Sequence, residues 1–380
     1  MKVFVIAGEA SGDKLGAALM GGLQSLTDVT FDGVGGPLMQ AQGMVSRFPM
    51  DELSVMGLAE ILPKYRHLKA RVNQMAQAVL ETRPDVLITI DSPDFGLRVA
   101  KLVKAGSNIR TVHYVAPTVW AWRAGRAAKM AQHVDQVLAL FPFEPPLMEA
   151  VGMRCDFVGH PVVTDPVASV ADAQAFRDRH KITGPLVLAL PGSRRGEVAR
   201  LSATFGAALK QLLSAVPDAQ IVLPAAPAVL ELVQQMTADW PQVQIIPPED
   251  KADKAAAFRA ADVALAASGT VSLELAANQT PMVIAYDMAW FSRVIISRML
   301  LVDTVTLVNL VSDTRVVPEY IGHDCKPAPI AAALQRVLGA PNDQNAAMAL
   351  TMERLGQGGD APGLRAARAV LGGFAAKPAV

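Results

Sequence analysis

Residues 2–13 read KVFVIAGEASGD, a short apolar run closed by glycine and an acidic turn that leads into the helical stretch Gly12–Leu26. A brief apolar run without alternation, ended by glycine and followed by helical periodicity, marks a strand buried on both faces that feeds a crossover helix. The phrase recurs. Val86–Ile90 ends at Asp91-Ser92-Pro93-Asp94, and Thr111–Val115 and Gln136–Leu140 are two more runs, with a basic helix over Ala124–His133 between them. Strands alternating with helices predict right-handed βαβ units and a parallel sheet.

The rhythm breaks at FVGHPVVTDP, residues 157–166, and restarts at Leu186–Leu190, followed by PGSRRGEV and a helix to Ala215. Gln220–Pro224, Val243–Ile246, Val263–Ala267 and Met282–Tyr286 continue it. The 380 residues exceed what one hydrophobic core usually serves. We therefore expect an α/β protein of two doubly wound, Rossmann-type domains facing a central cleft, 1–160 and 161–355. In the tail 356–380, Leu364–Leu371 reads as a helix that packs back across the domain interface.

Composition narrows the function. Apolar residues make up 51% and charged residues 18%, too apolar for a disordered chain. With 35 basic and 35 acidic residues there is no surplus to hold nucleic acid. Cys155 and Cys325 show no CxxC spacing, which points to reduced cytosolic thiols rather than a disulfide framework. The apolar run Val3–Ala7 is too short for a secretion signal, and no stretch of eighteen apolar residues could span a membrane.

Ligands of open parallel sheets bind beyond the carboxyl ends of the strands, so the strand-end turns are where chemistry is expected. In Gly8-Glu9-Ala10-Ser11-Gly12-Asp13, two carboxylates oppose a pyrophosphate approaching the helix start. One reading is that Ser11 or Asp13 caps the helix; the other is that Glu9 and Ser11 bind sugar hydroxyls. At Asp91-Ser92-Pro93-Asp94, Asp94 suits a cap of the helix Phe95–Lys104, which leaves Asp91 as the candidate general base. In HYVAPTVWAWR, 113–123, His113 reads as structural, while Trp120 and Trp122 beside Arg123, Arg126 and Lys129 fit either a core or a lining of the cleft.

The turns of the second half carry the opposite charge. Gly192 lets backbone approach a ligand, and Arg194 at a helix start offers charge and paired donors to a phosphate. Ser268-Gly269-Thr270 can receive phosphate oxygens on backbone amides, and Glu274, one turn on, can accept from both hydroxyls of a ribose. Acids in one domain and phosphate-suited turns in the other point to a sugar-nucleotide transferase. No His, Cys and carboxylate set stands at ligand spacing, so no metal or other cofactor is expected.

AGEASGD at 7–13, IDSPDF at 90–95, HYVAPTVWAWR at 113–123, PGSRRGEV at 191–198, SGTVSLE at 268–274, VNL at 308–310 and VPE at 317–319 together resemble the lipid-A-disaccharide synthase family over nearly the whole chain. The resemblance implies a GT-B fold and an inverting transfer of 2,3-diacylglucosamine from UDP to 2,3-diacylglucosamine 1-phosphate. It places Asp91 as general base, Glu9 and Ser11 in the N-terminal site, and Arg194, Glu274 and Asn309 on UDP. Ala116 and Gly322 depart from the residues usual in that family, Ser and Gln. Acylated substrates imply contact with the cytoplasmic face of the inner membrane, for which Val55–Val72 and Arg293–Val302 are basic amphipathic candidates. Another UDP-sugar enzyme of this architecture, such as a 2-epimerase, is the alternative, whereas a Rossmann oxidoreductase lacks its GxGxxG after a strand.

Overall fold

A computed structural model describes residues 1–53, 58–120, 125–288 and 302–375, with side chains left undescribed over 58–64 and at 375. Two compact units emerge, Met1–Thr164 with Gly358–Val380, and Asp165–Gln357.

The first unit is a six-stranded sheet of β1 (Lys2–Ala7), β2 (Thr30–Val34), β3 (Val86–Ile90), β4 (Arg110–Tyr114), β5 (Gln136–Ala139) and β6 (Arg154–Phe157). Its order is β2-β1-β3-β4-β5-β6 and every pair is parallel. Helices α1 (Ala10–Leu26), α2 (Pro37–Ala41), α3 (Leu58–Thr82), α4 (Pro93–Gly106), α5 (Gly125–Met130) and α6 (Pro145–Glu149) form the connections. Helices on both faces explain why β3 and β5 are buried end to end and carry no polar alternation. The chain leaves β1 toward β2 on one side, while β3 to β6 extend on the other. The order therefore reverses between β1 and β3, and a crevice opens at such a point.

The last helix, Pro362–Ala375, belongs to this first unit and packs on α1. Arg365 Nη2 donates to the Phe157 carbonyl at 3.0 Å, Gln136 Nε2 to Ala369 at 3.0 Å, and Arg110 Nη1 to Val370 at 2.7 Å.

The second unit holds β7 (Leu186–Leu190), β8 (Gln220–Pro224), β9 (Val243–Ile246), β10 (Val263–Ala266), β11 (Met282–Tyr286) and β12 (Glu319–Ile321). These run parallel in the order β9-β8-β7-β10-β11-β12. This is the 3-2-1-4-5-6 arrangement of dinucleotide-binding folds, with its reversal between β7 and β10. Five helices are interleaved over β7 to β11 and the segment before them: α7 (Val170–Arg179), α8 (Arg195–Ala215), α9 (Leu230–Met236), α10 (Lys251–Ala260) and α11 (Val271–Ala277). Val198, Leu201, Phe205, Leu209 and Leu212 recur every three or four residues along α8 and are buried against the sheet and the helix Pro327–Gly339.

Three strands have no counterpart in the sequence reading: β2, β6 and β12. Each lies at a sheet edge and is partly exposed, so its sequence (TFDGV, RCDF, EYI) keeps polar residues that an interior strand would lose. Among the described residues, no helix is long and apolar enough to cross a membrane.

Candidate functional site

Register brings the first set of residues together. Ala7 pairs with Ile90 and Ile90 with Tyr114, so the turns beginning at Gly8, Asp91 and Val115 leave the sheet at one level beside the β1–β3 reversal. Ser11 Oγ donates to Asp91 Oδ2 at 3.0 Å, and the Ser92 amide donates to Asp91 Oδ1 at 2.9 Å. The Asp91 amide is tied to the Tyr114 carbonyl at 2.9 Å. A side chain on Gly8 would begin 2.9 Å from Ser92 Oγ, which shows how closely the two turns approach.

The backbone here is strained. Asp91, Ser92 and Val115 have φ of 51°, 42° and 83°, a region costing on the order of 1–3 kcal/mol for a residue with a Cβ. The parallel ladder and the Tyr114 carbonyl hold Asp91 in this conformation. It faces solvent in part, with each carboxylate oxygen engaged once and a lone pair left on each. Glu9 lies on an adjacent cavity of about 360 Å³ between α3 and α4, together with Ser92, Leu68 and Phe95.

Neither capping role expected for the first turn is what the structure shows. Helix α1 starts at Ala10, and Ser11 turns to Asp91. Asp13 is buried and accepts from the amides of Gly36, Leu38 and Met39 at 2.9, 3.0 and 2.9 Å, so it caps α2 instead of its own helix. Likewise α4 begins at Pro93 with Ser92 at its N-cap, which puts Asp94 exposed in the first turn.

His113 is buried with Nδ1 2.7 Å from Thr89 Oγ1. Burial lowers its pKa to about 4 despite the nearby Asp91 charge, so it is neutral and structural. Trp120 meets Phe143 and Phe141 edge-on, at 5.4 and 6.5 Å between ring centres. Trp122 and Arg123 lie outside the described residues. Ala116, the first of the two departures from the resembled family, is buried in an apolar cluster that includes Val119 and Met130.

A group not anticipated from the sequence stands just past β5. Glu144 is 2% exposed, and its Oε2 accepts from the amides of Leu140 and Phe141 at 3.0 and 2.9 Å. Burial pushes its pKa up to about 7, against the pull of those two amides. Its only sequence signal is the FPFEPP context, which reads equally well as a turn.

In the second unit Leu190 pairs with Ala266, so the turns 191–194 and 267–270 leave the sheet side by side at its reversal. Arg194, Ser268, Gly269, Thr270 and Glu274 all line one cavity of about 390 Å³ there. Gly192 has φ of +120°, and a Cβ on it would meet the Glu197 side chain at 2.7 Å. Arg194 occupies the N-cap of α8 and reaches Glu197 Oε1 at 3.1 Å, with its side chain 65% exposed. Glu274 Oε2 stands 3.9 Å from Lys254 Nζ. Lys254, Phe258 and the Pro224–Ala226 turn complete the wall. Sequence motifs did not reveal these, because α10 and the β8 turn reach the cavity only through sheet order.

Asn309 takes a different place. It is buried, its Nδ2 donates to the Val317 carbonyl at 2.9 Å and reaches Thr304 Oγ1 and Glu319 Oε1 at 3.3 and 3.2 Å, and its Oδ1 accepts from the Val317 amide at 3.0 Å. Its side-chain amide joins the segments around 304 and 317–319, and Asn309 is not among the described residues that line the cavity of about 390 Å³. Gly322, the second departure, opens a short 3₁₀ turn after β12.

Of the two amphipathic stretches, residues 54–57 and the side chains of 58–64 lie outside the described residues, as does 293–301. In the described part of α3, Arg71 and His67 are both tied to Glu52 at 2.7 Å, and Arg71 lies over the Phe48 ring. Arg71 and His67 thus tie α3 to the segment at Glu52. Tyr65, Leu68 and Lys69 line the α3–α4 cavity.

Comparison with known proteins gives a consistent picture. The profile of the lipid-A-disaccharide synthetase family matches residues 3–360. The lipid-A-disaccharide synthase of Ruegeria pomeroyi is 62% identical, over 98% of this chain and 95% of that protein. The enzyme of the same name from Rhodospirillum centenum is 48% identical, over 97% and 94%. Among solved structures, UDP-GlcNAc 2-epimerase from Neisseria meningitidis bound to UDP-GlcNAc superposes with a TM-score of 0.63 at 12% identity, covering 99% of this chain and 100% of that one. A sucrose-phosphate synthase from Thermosynechococcus elongatus superposes at 0.62 with 15% identity, covering 99% and 100%. At such identities the likeness is one of fold, that of two-domain GT-B enzymes.

Proposed function

The chain belongs to the lipid-A-disaccharide synthase family, and on that premise we propose that it transfers 2,3-diacylglucosamine from UDP to 2,3-diacylglucosamine 1-phosphate. The products are the β-1′,6-linked disaccharide 1-phosphate and UDP. Asp91 carries this reading: an accessible carboxylate at the reversal of an open parallel sheet, steadied by Ser11 and the Ser92 amide on strained backbone.

In the reaction, Asp91 takes the proton of the acceptor's 6-hydroxyl while that oxygen attacks the donor's anomeric carbon from the face opposite UDP. The bond from that carbon to the UDP oxygen breaks, and an α-linked donor becomes a β-linked product. Glu9 binds sugar hydroxyls beside the base. Arg194, with the amides of the Ser268–Thr270 turn, takes up the charge that develops on the leaving diphosphate, and Glu274 accepts from the ribose. Both substrates carry acyl chains, so the enzyme works at the cytoplasmic surface of the inner membrane, and the exposed side chains of Tyr65, Arg66 and Lys69 on α3 meet that surface.

Incubation with the two acylated glucosamine substrates should yield disaccharide and UDP. In Asp91→Asn, turnover should fall about 10²–10⁴-fold, the usual worth of a positioned base, with UDP affinity unchanged. Near-normal turnover in that variant would remove Asp91 from the role, and transfer from a non-acylated donor alone would reject the substrate assignment.

A further inference from the structure

The first turns of α4 separate two cavities of opposite character. On one side, between α4 and α5, lies a groove of about 500 Å³ to which α4 contributes Arg98 and Lys101 and the α5 segment contributes Arg126, Lys129 and His133. On the other side is the 360 Å³ cavity between α3 and α4, whose walls include Leu53, Leu68, Val72 and Phe95 and which also holds Glu9 and Ser92. Pro93, Asp94 and Arg98 belong to both.

Charge makes the groove more than a surface dent. Among the described residues Asp94 is its single carboxylate. Asp135, the next acid along, is taken by Lys104 at 2.7 Å and by the Thr111 amide at 2.8 Å. Four permanent cations thus line one groove with a single acid, and like charges gathered in one groove repel each other unless an anion joins them. Arg98 stands five residues past Pro93, about 7.5 Å along the axis, and lines both cavities together with Pro93 and Asp94 at the start of the helix. Helix α4 itself begins two residues after Asp91. A sugar whose hydroxyl meets Asp91 therefore has a cationic groove and an apolar cavity within reach on either side of α4.

We propose that the α4–α5 groove seats the anomeric phosphate of the acceptor, on Arg98, Arg126 and Lys129, and that the α3–α4 cavity takes one of its acyl chains. This rests on the reaction proposed above. It adds the determinants that make a glycosyl phosphate with an acyl tail the acceptor, and it makes Arg98 the residue that touches both ends of that recognition.

Kinetics of the full chain in detergent micelles test it, with Arg98→Ala, the pair Arg126→Ala and Lys129→Ala, and Leu68→Asp. Each should raise the acceptor KM about tenfold to hundredfold, the worth of lost charge-assisted hydrogen bonds or of an apolar contact replaced by a charge, and leave the donor KM within about twofold. An acceptor lacking the 1-phosphate should be poor for the wild type, and the arginine and lysine variants should lose that discrimination. Retained UDP binding and an unchanged melting curve show that the variants are folded. A wild-type acceptor KM, or full preference for the phosphorylated acceptor, in the basic variants overturns the proposal. So does a defect confined to binding anionic vesicles, which would make the groove a seat for lipid headgroups. If the wild type forms no disaccharide, the reaction and this proposal fall together, whereas an active wild type with unaltered variants rejects the groove alone.

Discussion

Replacing Glu144 by glutamine should make the protein more stable, and increasingly so as pH rises. The carboxyl is 2% exposed and titrates at about 7 against an ordinary 4.5, burial outweighing the two amides that point at it. Below pH 4.5 the group is neutral in both folded and unfolded chains, and glutamine mimics it. Above 4.5 the unfolded chain releases its proton while the folded one keeps it to about 7, so the wild type loses stability across that window. At about 1.4 kcal/mol per pH unit, the advantage of the variant comes to about 1 kcal/mol at pH 5 and about 3 kcal/mol at pH 8. The amide oxygen of glutamine can still accept from Leu140 and Phe141, so little is lost in exchange. Urea unfolding followed by tryptophan fluorescence at pH 5, 6.5 and 8 measures the gap. His113, whose burial makes acid destabilising below about 6.5, contributes equally to both proteins and cancels. A gap that stays flat with pH, or a variant less stable than wild type at pH 8, would refute the reasoning, because it would mean that the amides keep Glu144 ionised.

Two further outcomes follow from the geometry of the strand-end turns. Ser11→Ala removes the donor to Asp91 Oδ2, and turnover should drop about tenfold with unaltered UDP affinity, the scale of one hydrogen bond to a charged acceptor. An equal loss in UDP binding would show that Ser11 supports the fold more broadly. Gly192→Ala forces a Cβ into a left-handed turn against Glu197, and calorimetry should show UDP binding weakened about tenfold or more by a displaced Arg194, while steady Asp91 chemistry is not at issue. Unchanged affinity would detach the 191–194 turn from the nucleotide.

The sequence by itself determined the fold class and most of the residues at the strand ends. Interior strands of parallel sheets are covered on both faces, so they are largely apolar and end in turns, and Lys2–Ala7, Val86–Ile90 and Leu186–Leu190 stand out in one dimension. Edge strands escape that demand, which is why TFDGV, RCDF and EYI could not be told from loops. Pairings belong to tertiary structure. That Ser11 serves Asp91 across 80 positions, while Asp13 two residues on serves α2, depends on the lateral order and register of β1 and β3. The same holds for Asn309, which the family resemblance placed on UDP and whose side-chain amide the fold engages with the Val317 backbone. Spacing along the chain tells which residues leave a strand together. Which distant turns those residues meet is set by strand order and burial, because only the closed sheet decides where a side chain's hydrogen bonds are satisfied.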